Sequence, residues 1–220
     1  MEGDDFGKHI LPRAIRSARV YAYPFSRNRI RDYRWSPDAD GVLHKTLVDN
    51  ICDAHYWKDV GDLDCYWQAN MDLTGVTPNF SLYGALWPLR TYQRQFPPVK
   101  TVFNHPSENR VGSILDSIVS PGCIISGGTV LRSVLSYDVR VNSWAHVEES
   151  VIFSHVEIGR HCRIRRAIID KHNRIPAGTE IGVNPEEDAK RFPVTPGGIT
   201  IIPKRFFPPS VEEGMDFCAD

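Results

Sequence analysis

Between residues 117 and 183 the chain falls into register with itself every 16 or 17 residues, and nothing else in it constrains the fold as tightly. The four stretches are SIVSPGCIISGGTVLR (117–132), SVLSYDVRVNSWAHVEE (133–149), SVIFSHVEIGRHCRIRR (150–166) and AIIDKHNRIPAGTEIGV (167–183). Ile118, Val134, Val151 and Ile168 form one aliphatic column. Ile124, Val141, Ile158 and Ile175 form a second, and Val130, Val147, Ile164 and Ile181 a third. Columns about six residues apart predict three short strands per turn, each pointing one side chain inward, as in the hexapeptide pattern of a parallel β-helix. No coil of this kind buries its own aliphatic row, so the coils must stack.

The 220 residues have room for one large domain or two small ones. At 41% hydrophobic and 24% charged, the composition is that of a soluble globular protein. A net charge of −1 supplies no field for nucleic acid or an anionic membrane, so neither is expected as a partner. No apolar run is long enough to span a bilayer, and the acidic start MEGDDFGKHI is no signal peptide. Cys52, Cys65, Cys123, Cys162 and Cys218 are odd in number and lack CxxC spacing. They predict free thiols in a reducing cytoplasm.

Upstream of the repeats, Asp4 or Asp5 is placed to cap a short helix over residues 6–17, with Ile10, Leu11, Ala14 and Ile15 as its apolar stripe. VYAYPF (20–25) reads as a strand, and residues 26–53 carry no clear period. In HYWKDVGDLDCYWQANMDL (55–73), Gly61 breaks the chain and Asp62 caps a helix. Leu63, Tyr66, Trp67 and Met71 then fall at helical spacing, so Asp59 sits on the loop just before that helix. Pro78, Pro88, Pro97, Pro98 and Pro106 predict an extended connector over residues 76–116, with one short strand near residues 90–92. After the repeats come a helical piece in PEEDAKRF, a last strand in ITIIP and a loose tail over residues 206–220.

Three groups of residues invite chemistry. Asp59, between Trp57 and Gly61, could bind a hard cation such as Mg2+, or could bond to nearby backbone N–H groups. Arg160, Arg163, Arg165, Arg166, Lys171 and Arg174 face one acid, Asp170, with Lys204 past the last strand as a further cation. Such a cluster suits a phosphorylated small molecule, or is a solvated face of the β-helix. His146, His155, His161 and His172 lie in the repeats, where hexapeptide acyltransferases place a general base near a protruding loop. The coils carry no such insertion, which favours packing or solvent-facing histidines. No G-x-x-x-x-G-K-[ST] or G-x-G-x-x-G motif is present, and no His/Cys spacing suits structural zinc.

Taken in order, GDDFGKHILP, YAYPF, YWKDVGDLDCYWQANMDL, WPLRTY, SIVSPGCIISGG, RRAIIDK with IPAGTEIG, EEDAKRF and GGITIIPK resemble bacterial glucose-1-phosphate adenylyltransferase, also called ADP-glucose pyrophosphorylase. The resemblance covers about residues 3 to 205 and is most specific over residues 56–73 and 165–171. It implies a left-handed parallel β-helix over residues 117–205, preceded by the C-terminal remnant of an α/β, Rossmann-like nucleotidyltransferase domain over residues 1–75. It further implies a nucleotidyltransferase of glycogen synthesis that joins ATP and glucose 1-phosphate into ADP-glucose and pyrophosphate with Mg2+, in a cytoplasmic homotetramer under allosteric control.

Residue by residue, the resemblance makes Asp59 a metal ligand, although Asp62 stands where many relatives have threonine. It makes Lys171 and Lys204 binding positions for phosphorylated effectors, sugar phosphates or AMP, with Arg165 or Arg174 beside them. The family's glycine-rich ATP loop and Glu-Lys-Pro segment have no counterpart here. The expectation is therefore a C-terminal fragment, inactive by itself. The competing readings are a stand-alone noncatalytic effector-binding or assembly module and a hexapeptide acyltransferase.

Overall fold

A computed structural model describes residues 3, 5–92 and 94–208. The chain divides into two compact units, Met1–Tyr56 with Ala85–Trp87, and Trp57–Gly84 with Pro88–Asp220.

In the first unit Asp5 accepts a hydrogen bond from Lys8 N at 2.5 Å and caps a π-helical turn, Phe6–Ile10, that runs on into α1, Leu11–Ser17. The expected helix is therefore present. Residues 20–25 form no strand, because no partner pairs with them; Phe25–Arg27 is a 3-10 turn instead. Residues 26–53, unreadable by period, hold an antiparallel hairpin of β1, Arg31–Pro37, and β2, Leu43–Asp49. Its turn is fixed by Asp38, whose carboxylate accepts from Asp40 N, Val42 N and His44 Nε2. The hydrogen bond from His44, then that from Val42, hold the Asp38 carboxyl below its ordinary range. A short helix, α2 (Ile51–His55), is capped by Asn50.

The second unit contains α3, Leu63–Asp72, and the β-helix. Three five-stranded parallel sheets form its walls. The first stacks Ile118–Val119, Val134–Leu135, Val151–Ile152, Ala167–Ile169 and Thr200–Ile202. The second stacks Lys100–Val102, Ile124–Ser126, Arg140–Val141, Glu157–Ile158 and Arg174–Ile175. The third stacks Ser113–Leu115, Thr129–Leu131, His146–Glu148, Arg163–Arg165 and Glu180–Ile181. The ladder thus begins at Lys100, before the repeat is visible. A hairpin of Asn104–His105 and Arg110–Val111 sits between the first strands of the second and third sheets and hides the period there. Residues 90–92 form no strand.

Two columns need correction. In the second, Val141 pairs with Ile125, not Ile124, and the buried row is Ile125, Val141, Ile158 and Ile175. In the first, the predicted members are in register, but the side chains turned into the coil are their neighbours Leu135, Ile152, Ile169 and Ile202. Val151 and Ile168 instead face outward, in a separate apolar cluster with Ile199. Strand side chains alternate between faces, so a one-residue shift exchanges inside for outside. The third column is as expected, with Val130, Val147, Ile164 and Ile181 at most 1% exposed.

A ladder of serines joins the coils at the start of the first sheet. Ser117, Ser133 and Ser150 Oγ each accept from the backbone N–H one coil on, at Ser133, Ser150 and Ala167, over 3.1–3.2 Å. Each hydroxyl also donates to the carbonyl two residues back, so both capacities of a buried group are met. Corners are turned by left-handed residues. Gly122, Asp138, His155, His172 and Arg205 share one corner, all at positive φ, a conformation in which Asn, Asp and His are enriched among residues with a Cβ. The last coil is closed by Gly182, where a Cβ would lie 1.6 Å from Arg165 O. Beyond it α4, Pro185–Arg191, is capped by Asn184.

The tail is anchored further than expected. Phe207 N donates to Asn173 Oδ1, Arg174 N donates to Phe207 O, and Phe206 and Phe207 meet Phe192 edge-on. The rest of the expected loose tail, from residue 209, lies outside the described residues.

Candidate functional site

Asp59, Asp62, Asp64 and Asp72 crowd one short segment, and three of the four carboxylates have structural work. Asp62 caps α3 by accepting from Cys65 N at 2.7 Å. That bond, the largest cause, holds the Asp62 carboxyl below its ordinary range. Asp64 accepts from Thr195 Oγ1 and from Gly197 N. Asp72 accepts from Lys58 Nζ at 2.7 Å. The helix they frame is seated on the β-helix through Tyr66, Trp67 and Met71, which pack on Val151, Ile168 and Ile199. Trp67 Nε1 donates to Glu149 O at 2.8 Å, and the Arg166 guanidinium lies 4.9 Å over the indole.

Asp59 is exposed and, alone of the four, makes no hydrogen bond or ion pair to any described residue. Its Oδ1 lies over Gly61, 3.4 Å from where a Cβ would be. The backbone-bonded reading weighed for Asp59 belongs to Asp62 instead. A free carboxylate of this kind suits a hard cation. Among the described residues no three His, Cys, Asp or Glu side chains converge into a metal site.

The basic cluster is broken up by acids one coil away. Arg163 pairs with Glu180 at 3.0 Å, Arg174 with Glu157 at 3.4 Å, and Arg165 with Glu148 and Glu149 at 3.9 Å each. Arg165 ends strand Arg163–Arg165, ahead of the corner at Arg166, and Lys171 lies at the corner after strand Ala167–Ile169. Lys171 and Lys204 are brought together: Ile169 pairs with Ile202, and the same register continues until Arg205 N donates to Lys171 O at 3.2 Å. No described carboxylate pairs with Lys171, Lys204 or Arg205. Of the four expected effector residues, two therefore form a corner, Arg174 is committed to Glu157 on the next strand, and Arg165 is elsewhere. Sequence reasoning did not single out Arg205, and weighed His172 only among the repeat histidines; both share that corner. The column Gly122, Asp138, His155, His172 was the signal that could have found the corner.

The other histidines of the repeats are engaged by their neighbours, through a ring stack or a carboxylate. His161 stacks on Trp144 with centroids 4.8 Å apart, and His155 Nδ1 meets Asp138 Oδ2 at 2.9 Å. His146 Nε2 lies 3.6 Å from Glu148. Cys52, Cys65, Cys123 and Cys162 are free, and Cys218 lies outside the described residues. Burial, foremost, pushes the Cys123 thiol up to about 11, so it stays a neutral packing group. No described helix is long and apolar enough to cross a membrane.

Three stacked parallel sheets with short aliphatic strands and left-handed corners define a hexapeptide-repeat β-helix, and residues 97–202 match the family described as GlmU-like, C-terminal hexapeptide. Relatives fix the kinship more narrowly: the chain is similar to the C-terminal part of glucose-1-phosphate adenylyltransferases. It is 50% identical over 200 residues to that of Anaeromyxobacter sp. (strain Fw109-5), covering 91% of this chain and 45% of the relative. To that of Koribacter versatilis it is 46% identical over 202 residues, covering 92% and 43%. To that of Dechloromonas aromatica it is 44% identical over 210 residues, covering 96% and 43%. The chain spans somewhat less than half the length of these relatives.

Proposed function

We propose that this chain is the regulatory and assembly part of a glucose-1-phosphate adenylyltransferase, and that it lends one carboxylate, Asp59, to the catalytic Mg2+ of the complete enzyme. The observation that carries the reading is the free Asp59 carboxylate among three engaged ones. Asp59 would be one of the residues holding Mg2+, which when bound would supply positive charge to offset that of the phosphates. This chain's residues hold the ligand in place. Asp62 fixes the helix start, the Lys58–Asp72 pair ties the loop to the helix end, and Asp64 and Trp67 fasten the helix to the β-helix.

Lys171 and Lys204 form the effector site, where two unpaired ammonium groups in the turns after neighbouring strands suit a phosphate ester, a sugar phosphate or AMP. Strand Thr200–Ile202 leads directly from the loop that Asp64 grips to Lys204, so effector binding at the corner is mechanically connected to α3. A homotetrameric, cytoplasmic enzyme of glycogen synthesis fits this reading, and the free cysteines agree with a reducing compartment.

The test uses the 220-residue chain alone and joined to the N-terminal half of the Anaeromyxobacter relative. The joined protein is expected to release pyrophosphate from ATP and glucose 1-phosphate, and the chain alone to release none. Activation by fructose 6-phosphate or fructose 1,6-bisphosphate, or inhibition by AMP, should weaken about tenfold or more in Lys171→Ala and Lys204→Ala, since a charge-assisted contact is worth roughly 1.5–3 kcal/mol. Unaltered effector response in both variants would leave the corner a solvated face. Acetyl transfer from acetyl-CoA to a sugar acceptor would favour the acyltransferase reading instead.

A further inference from the structure

His172 stands inside the cationic corner. Its ring stacks on His155 at 5.0 Å and 7°, one coil back. His155 in turn meets Asp138 through Nδ1 and lies 6.3 Å from the Phe96 ring. On the other side of His172 is Arg205, its equivalent at the same corner, with both residues at positive φ, 59° and 57°. The charged groups facing the imidazole are therefore His155 from the preceding coil, Lys171 from its own turn, and Lys204 and Arg205 from the turn after strand Thr200–Ile202. Asp138 is engaged by His155, and the Asp170 carboxylate accepts from Lys171 N. Burial first, then these four positive or potentially positive neighbours, keep the His172 pKa below that of an ordinary imidazole. The corner thus sets three fixed cations around one imidazole, and the Asp170 carboxylate, bonded to Lys171 N, forms no ion pair with any of them.

An oxyanion seated between these cations reverses the balance. It screens Lys171, Lys204 and Arg205 from the ring and adds negative charge beside it, which favours the protonated imidazole. We propose that His172 and Arg205 complete the anion-binding corner begun by Lys171 and Lys204, and that His172 takes up a proton as a phosphate dianion or equivalent oxyanion binds. The inference rests on the effector reading of Lys171 and Lys204 and adds two contacts and a proton to it. Only the proton moves, from solvent to the ring. Because binding and protonation are linked, the corner binds more tightly as pH falls through the window between the free and the bound His172 pKa. A rise of one unit on binding means about tenfold tighter binding below that window than above it.

Sulfate is the probe, because it remains a dianion throughout the neutral range whereas phosphate esters titrate near pH 6. The pH titration of the His172 ring is followed by NMR in the 220-residue chain, in sulfate and in chloride of equal ionic strength. The expected result is a free pKa below the ordinary imidazole value and a rise of at least about half a unit in sulfate. That rise should vanish in the Lys171→Ala, Lys204→Ala double variant. His172→Asn, which suits the left-handed corner, should still bind sulfate but with affinity flat in pH. If Lys171 and Lys204 signals move with sulfate while His172 does not titrate differently, the proton-linked contact is wrong and the effector corner stands. If none of them responds, the reading of the corner itself fails. A rise that survives the double variant would also overturn the proposal.

Discussion

Ile158 has no exposed surface and lies in the buried row with Ile125, Val141 and Ile175. An aspartate there would be an unpaired charge with no water, so Ile158→Asp should cost about 3 kcal/mol or more. Val134→Asp, on the partly exposed outer side of the first sheet, should cost less than half as much. Urea unfolding of the two variants compares them; equal losses would contradict the inward–outward assignment. The repeat period was legible because aliphatic residues recur at fixed spacing. The facing was not, because strands of the first sheet are apolar on both sides: Val151-Ile152 and Ile168-Ile169 present one side chain to the coil and the other to the cluster that includes α3 residues. A strand covered on both faces reads as a continuous apolar run without alternation. The serine ladder was hidden for another reason, since serine at a coil start reads equally well as a turn residue.

At the scale of elements, α3 is held by few but specific contacts: one indole hydrogen bond, one guanidinium over that indole, the Asp64 grip and a small apolar cluster. Trp67→Ala removes the first two and part of the last, and should weaken the seating of α3 by about 2 kcal/mol. Amide exchange is the measurement. Residues of Leu63–Asp72 should lose protection, while strands His146–Glu148 and Arg163–Arg165 keep theirs, because helix and coils then open separately. Uniform loss across both would mean that α3 is part of one cooperative unit with the coils. The helix itself was legible from its cap and its 3.6-residue spacing. VYAYPF had the composition of a strand but no partner to pair with, and composition alone cannot supply one.

Over the whole molecule, charge follows the coil rather than the chain. Glu148 with Arg165, Glu157 with Arg174 and Glu180 with Arg163 are each 17 residues apart, one turn of the β-helix, so a basic run in sequence becomes a series of neutral rungs in space. A count along the sequence therefore overstated the cluster, and only register could separate Lys171 and Lys204 from it. Asp59 was legible as a candidate from its loop, while its freedom from partners emerged only when Asp62, Asp64 and Asp72 were each found engaged. On that freedom rests the claim that this chain completes a metal-dependent nucleotidyltransferase. Pyrophosphate release by the joined enzyme, with Asp59→Ala beside wild type at saturating ATP and glucose 1-phosphate, tests it most directly. Turnover should fall at least about a hundredfold with the unfolding midpoint unchanged, as expected for losing a metal-bound carboxylate; undiminished turnover would contradict it.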